Sequence, residues 1–308
     1  MVFNRALFLE LKTSSYYELV RIFGKDFTDR IRYWFVTPFK IAANQKSLKA
    51  LRDVLDHYPH SSFKNLPPHE LINQYLFSLA FSPEQRLETL TFQYKFLHHR
   101  LAFLQREIMI ERGILCWEKN FENCCHSIAL KISQKYESEG CLSLQYSVDD
   151  KDIYLIAFTI CPGTHFGFDN RSVALVSRLQ GTKGRHDEIA NASKQLLDIF
   201  PASALMSALE GFCQSIGIDK IIGIAAKNQV SFIQKDYEQA KAQYDGFWKT
   251  FEAGIVEETG DYLIPVPFVF KPSSLIRSKF RKRTLAKRTM RRNISEIAQT
   301  NFNLVFQA

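Results

Sequence analysis

Four groups of residues in this chain carry side chains suited to chemistry. The first is Arg178-Leu179-Gln180-Gly181-Thr182-Lys183-Gly184-Arg185-His186, in which cations alternate with glycines. Gly181 and Gly184 let a backbone approach a ligand closely, so Arg178, Gln180, Gly181, Lys183 and Arg185 form a candidate site for a phosphate or carboxylate. The plainer reading is that Gly181 ends a strand and the cations, Lys194 included, are solvated. The second group is Cys116, Cys124, Cys125 and His126. It lacks the paired Cys-x-x-Cys or His-x-x-x-His spacing of a zinc site, so no metal is expected. A cysteine nucleophile there needs a base such as His126 or His165 at contact distance, which spacing alone does not establish. Tyr244, Asp245, Phe247 and Trp248 form the third group near the end of a helix, where Asp245 can orient an arginine or act as a base and the rings pack.

The fourth group is a run of ten lysines and arginines from Lys271 to Ile294, with no aspartate or glutamate among them: Lys271, Arg277, Lys279, Arg281, Lys282, Arg283, Lys287, Arg288, Arg291 and Arg292. The whole chain carries +8, so everything else sums to about −2. A basic surface on a nearly neutral protein points to a polyanionic partner: an anionic membrane, a phosphorylated ligand or, third, nucleic acid. At about 100° per residue Leu275, Ile276, Ala286, Met290, Ile294, Ile297 and Ala298 share one side, with Lys279, Arg283 and Lys287 among them. The half from Met290 can therefore dock, while the half before it is basic all round.

The elements that must position these groups follow from periodicity. With 308 residues and 46% hydrophobic content, the chain can bury a large core and divides as 1–113 helical, 114–270 α/β core and 271–308 basic helical segment. Ser82-Pro83-Glu84-Gln85 reads as a helix start with a capping box. Beyond it Leu87, Leu90, Tyr94, Leu97, Leu101, Leu104 and Ile108 predict one helix of seven turns, paired with an antiparallel neighbour over His69 to Phe81. After Cys125 the period changes to two. Ile128 to Ile132, Leu142 to Tyr146, Ile153 to Ile160 and Val173 to Leu179 predict a four-strand antiparallel meander, with Asp149, Asp150 and Asp152 in a turn. Pro201 opens a helix that Gly217 closes, Ile221 to Ala226 returns as a strand, and Asp236 to Phe251 is helical. Pro265 and Pro267 restrict Tyr262 to Phe270 to an edge or loop. The fold class is thus α+β: helices, then a mixed, mainly antiparallel sheet with packed helices, then a basic helix. No apolar run reaches the length of a membrane span, and the start of the chain lacks the pattern of a secretory signal; the expectation is a cytoplasmic protein, at most peripheral to the inner membrane, with its six cysteines reduced.

Several of these motifs in this order, Arg178-Leu179-Gln180-Gly181, Ala192-Ser193-Lys194 with Pro201 after it, the helix into Ile216-Gly217-Ile218, Tyr244-Asp245-Gly246-Phe247-Trp248 and the terminal arginine-rich run, resemble the VirK/YbjX family, the domain of unknown function 535. The resemblance implies a bacterial protein linked to virulence and envelope traits in Gram-negative organisms, binding or modifying an anionic, phosphorylated or acylated envelope component, and carries no catalytic residues with it. The order of meander, helix and strand is also similar to the GCN5-related N-acyltransferases, which implies acyl-coenzyme A or another acyl donor as ligand, with pyrophosphate at a helix N-terminus. Arg178 to Lys183 approaches their Gln/Arg-x-x-Gly-x-Gly/Ala loop, with Lys183 in place of the small residue. In the other alignment the helix from Ala202 to Ile216 takes the cofactor position and the glycine loop is missing. A non-enzymatic adaptor at an anionic surface is the alternative.

Overall fold

The computed structural model describes residues 37–306 apart from 59, 122, 134–136, 170 and 232–236. Residues 1–36, part of the segment expected to be helical, lie outside the described residues. Among the described residues five helices come first: α1 (Thr37–Ala43), α2 (Gln45–Leu55), α3 (Pro68–Asn73), α4 (Pro83–Arg100) and α5 (Phe103–Glu111). α4 starts as its sequence dictates. Ser82 Oγ accepts the Gln85 amide, Gln85 Oε1 accepts the Ser82 amide, and Pro83 occupies the first turn.

The seven-turn helix expected from Ser82 to Ile108 does not form. Leu101 (φ −121°, ψ 132°) and Ala102 (φ −63°, ψ 157°) are extended, which ends α4 and starts α5 in a new direction. Leu90, Leu97 and Leu101 are buried, whereas Leu104, next in the same spacing, is 68% exposed. Two helices joined by a two-residue bend satisfy the 3.5-residue spacing as well as one does, so the spacing did not distinguish them.

An eight-stranded sheet follows, in the order β1-β2-β3-β4-β5-β6-β8-β7. Its strands are β1 (Ile114–Phe121), β2 (Cys124–Ile132), β3 (Leu142–Val148), β4 (Lys151–Pro162), β5 (Ser172–Gly181), β6 (Lys220–Gly223), β7 (Gly254–Ile255) and β8 (Tyr262–Pro265). β2 to β5 form the antiparallel meander, and β1, outside the expected set, adds an antiparallel strand to its edge. β5 and β6 are parallel, so a crossover must join them; it consists of α6 (His186–Gln195) and α7 (Pro201–Ser215). α8 (Tyr237–Lys249) lies between β6 and β7, and α9 (Ser278–Asn303) follows the sheet.

β8 is not an edge strand. It pairs with β6 along its length and with β7 at Tyr262 and Leu263. Because β7 reaches only those two residues, the strand has a single neighbour by Pro265, and a proline is tolerated there.

One face of the sheet carries Ile128, Leu130, Leu144, Tyr146, Ile156 and Phe158, all buried. α7 packs on it through Phe212, whose ring lies 5.6 Å from Phe158, and α9 covers α7 with Phe302 at 5.2 Å from Phe212. Gly211 permits that approach, since a Cβ there would sit 2.2 Å from the Ser295 carbonyl oxygen. The helical layer is tied to the sheet through the β2–β3 loop. Buried Glu137 accepts hydrogen bonds from Ser61 Oγ, the Ser62 amide and hydroxyl, and Tyr94 Oη, while the Phe77 amide donates to the Ser138 carbonyl.

The contrast between Leu97 and Leu104 is measurable. Leu97→Ala is expected to cost about 2–5 kcal/mol in urea unfolding through the cavity it leaves. Leu104→Ala is expected to change stability by no more than about 0.5 kcal/mol; equal losses would mean that α4 and α5 pack otherwise.

Candidate functional site

The parallel pair β5/β6 lasts three residues: Ala174 opposite Ile221, Leu175 opposite Ile222 and Val176 opposite Gly223. After the Ile224 amide donates to the Val176 carbonyl, β6 ends and the chain leaves the sheet through a short turn, Ala226–Asn228. β5 continues to Gly181, leaving an open edge of peptide groups at Leu179. Side chains of α8 take them. Leu179 N–H donates to Tyr244 Oη at 3.3 Å, and Gln243 Nε2 donates to the Leu179 carbonyl at 3.1 Å. Gln229 Nε2 also donates to Tyr244 Oη.

The three sequence-predicted residues of α8 all meet at this divergence. Tyr244 and Trp248, four apart, share one helix face. Trp248 Nε1 donates to the Ile224 carbonyl at 2.8 Å, and its ring fills the space beside Gly223, where a Cβ would lie 2.4 Å from it. Asp245 Oδ1 accepts the Ala226 amide at 2.9 Å and so fixes the turn. Burial pushes the Tyr244 hydroxyl up to about 12, keeping it protonated at neutral pH.

The anion-site residues are placed separately. Arg178 and Gln180 project from the same side of β5, and Arg178 Nε donates to Gln180 Oε1 at 2.7 Å. The Arg178 guanidinium forms an ion pair with Glu139 of the β2–β3 loop, both largely buried. Gly181 is paired with Tyr154 in the sheet, and the next amide, Thr182, donates to the Ile153 carbonyl. Lys183 is exposed. Arg185 precedes α6 and pairs with Glu188 at 3.0 Å. Asp187 and Glu188 occupy the first turn of α6 and already complement its dipole. Glu139 carried no recognisable signal, because its partner lies 39 residues away on a different element.

The basic run divides. From Ser278 to Thr289 no residue of α9 is buried, and Lys279, Arg281, Lys282 and Arg283 are exposed, as are Arg277 before the helix and Arg292 later in it. Arg283 pairs with Asp198, and Lys287 Nζ donates to the Asp198 carbonyl at 2.9 Å. Arg288 lies 5.2 Å from the centre of the Phe270 ring. Arg291 is half-buried, its guanidinium 4.8, 5.5 and 5.1 Å from the rings of Phe251, Phe268 and Phe270. Burial lowers its pKa to about 10.

Cys116, Cys141, Cys161 and Cys213 are buried, Cys124 and Cys125 half-buried. Among the described residues no group of three His, Cys, Asp or Glu side chains is arranged to hold a metal ion, and no helix is long and apolar enough to cross a membrane. A hollow of about 490 Å³ lies on the sheet face away from α7, lined by Ser127, Lys131, Ser147 and Asp152 of the first strands and by Arg112.

These features define an α+β protein whose mixed sheet opens at the parallel pair β5/β6 and whose last described helix is basic over its first turns. The chain belongs to the family described as protein of unknown function (DUF535), which matches residues 24–296. It is 25% identical over 209 residues to the uncharacterized protein YbjX of Escherichia coli (strain K12), covering 65% of this chain and 61% of that protein. The chain thus spans about three-fifths of that relative. No solved structure matches it.

His165, one of the two bases considered for a cysteine, lies 5.2 Å from Phe81, its Nε2 buried without a hydrogen-bond partner. Glu88 Oε2 is 3.9 Å away, but burial lowers the imidazole pKa to about 4, so the contact is not an ion pair at neutral pH. The folded state therefore favours the neutral ring. Its contribution is complete above the unfolded pKa near 6.5 and is lost as pH falls toward 4, on the order of 2–3 kcal/mol in all. In urea titrations, the stability lost between pH 7 and 4 should be smaller by that amount in His165→Phe than in the wild type. An unchanged pH profile would remove His165 from the acid response.

Proposed function

We propose that this protein binds an acyl thioester by the amide-bearing arm of its carrier and transfers the acyl group at the divergence of β5 and β6. The observation that carries the reading is that the parallel pair β5/β6, the only one among the described residues, parts after three residues, with the Leu179 amide and carbonyl held by exchangeable side chains. An open strand edge of this kind accepts an extended amide chain much as it accepts another strand. The position of β8 between β6 and β7 supports the similarity to N-acyltransferases. Tyr244, protonated at this edge, supplies a proton to the departing thiolate. The acidic first turn of α6 disfavours a pyrophosphate there, so the charged end of the carrier lies elsewhere. The acceptor is an anionic envelope component, in keeping with what the family resemblance implies.

Thermal unfolding with acetyl- and palmitoyl-coenzyme A tests this. A saturable rise in melting temperature is expected, and Tyr244→Phe should keep that rise while slowing thiol release about 10²-fold, within the range of general-acid catalysis. The absence of any shift at millimolar thioester would remove the reading.

A second observation favours attachment to an anionic surface. The first three turns of α9 are unburied and carry cations together with Phe280 and Leu285, which are 47% and 41% exposed. Each cation near an anionic bilayer contributes on the order of 1 kcal/mol. Co-sedimentation with anionic vesicles is expected at low salt and should weaken as salt rises, with little binding to neutral vesicles. A variant with Arg281, Lys282 and Arg283 changed to glutamine should lose most of it. Stronger retention by duplex or single-stranded DNA at the same ionic strength would give the arm to nucleic acid instead.

A further inference from the structure

Cys124 and His126 project from the same side of β2 because they are two residues apart on a strand. Cys124 Sγ lies 3.3 Å from His126 Nε2. The imidazole is fully buried, with Nδ1 2.6 Å from Tyr146 Oη on β3 and the Phe121 ring at 4.5 Å. Gln195, the exposed last residue of α6, closes the group: its Oε1 is 2.8 Å from His126 Nε2 and its Nε2 donates to Cys124 Sγ at 3.2 Å. When Nδ1 carries the ring proton it donates to Tyr146 Oη, which leaves Nε2 to accept the proton of the Cys124 thiol, and the Gln195 carboxamide contacts both the ring and the sulfur. A thiol, a base within reach and a third group orienting the base make a nucleophile arrangement. Its neighbour Cys125 faces the other way, where burial and the carboxylates of Glu118, Asp149 and Asp150 push the thiol pKa up.

We propose that Cys124 is a nucleophile that accepts an acyl group from a thioester, with His126 as its base and Gln195 and Tyr146 as positioning residues. Sγ attacks the thioester carbonyl carbon, forming a bond to Cys124 as the bond to the departing sulfur breaks. The thiol proton passes to His126 Nε2 and then to the departing thiolate. Burial lowers the His126 pKa, so the ring readily returns the proton. The site gives the acyl group a covalent resting place on the chain, and it rests on the acyl-transfer reading only for the choice of donor.

Adjacent Cys125 serves as an internal reference. With limiting iodoacetamide at pH 7 and peptide mass spectrometry on the full chain, Cys124 is expected to be alkylated at least about ten-fold faster than Cys125. Gln195→Ala, a surface change that leaves the core intact, should reduce that ratio by at least about three-fold. With S-acetyl-N-acetylcysteamine, an acetyl group removable by hydroxylamine should appear on Cys124, be absent from Cys124→Ser and persist in Tyr244→Phe. That last arm separates this site from the β5/β6 divergence. Alkylation of Cys124 no faster than of Cys125, or no hydroxylamine-labile adduct on it, would overturn the proposal.

Discussion

The parallel contact between β5 and β6 is the constraint from which most of the molecule follows. Parallel neighbours cannot be joined by a hairpin, so the chain must leave the sheet and cross its face before returning. α7 makes that crossing and is buried on nearly every side, with Ala204, Leu205, Ala208, Leu209 and Phe212 inaccessible. A helix apolar all round needs a second cover, and α9 provides it. Arg291 Nε meets Ser207 Oγ, and Ser295 lies against Gly211. The two helices therefore run in the same direction. By that offset the start of α7 at Pro201 lies beside roughly Leu285, and everything earlier in α9 extends past the helix that would bury it. The unburied basic arm is thus a geometric result of helix register as much as of charge.

The same contact creates the divergence. A parallel pair continued as far as Leu179 would have satisfied it by backbone pairing, which is fixed once folded. Instead a hydroxyl and a carboxamide from α8 satisfy it, each bond contributing roughly 1 kcal/mol net and each replaceable by a ligand group of matching polarity. Trp248 beside Gly223 and Asp245 on the Ala226 amide keep the strands apart without occupying the Leu179 edge. α8 therefore acts as a wedge, and the side chains it offers to the gap are those of Gln243 and Tyr244.

Local signals were legible and distant partners were not. The capping box at Ser82 and Gln85, the alternation in β2 to β4, and Pro201 with Gly217 at the ends of the helix before β6 are decided within a few residues, so the sequence states them openly. Gly217 has the left-handed φ of +76° that its position after a helix requires. The bend at Leu101 was invisible because its spacing suits one helix or two. β1 lacks a clean alternation, its inward residues Cys116 and Trp117 being adjacent across a bulge. In the site, the spacing of Tyr244 and Trp248 showed a shared face but not what the face meets. Glu139, which decides the state of Arg178, and Gln195, which completes the Cys124 group, join them only through tertiary contact.

Glu139 also changes what the cations near β5 mean. An arginine at a strand end beside glycines reads as a ligand for an anion, yet a guanidinium already paired with a buried carboxylate presents little net charge to solvent. Removing Arg178 would strand Glu139 in the interior, so a loss of function in such a variant would report instability before it reported binding. Arg291 carries the same ambiguity, since its removal would empty a space between three phenylalanines. The cations whose replacement tests recognition without disturbing the fold are the exposed ones, Lys183 in the β5–α6 loop and Lys279, Arg281 and Lys282 on the arm. Charge on this surface is informative only after burial has been taken into account, because the same side chain recognises an anion outside and holds the core together inside.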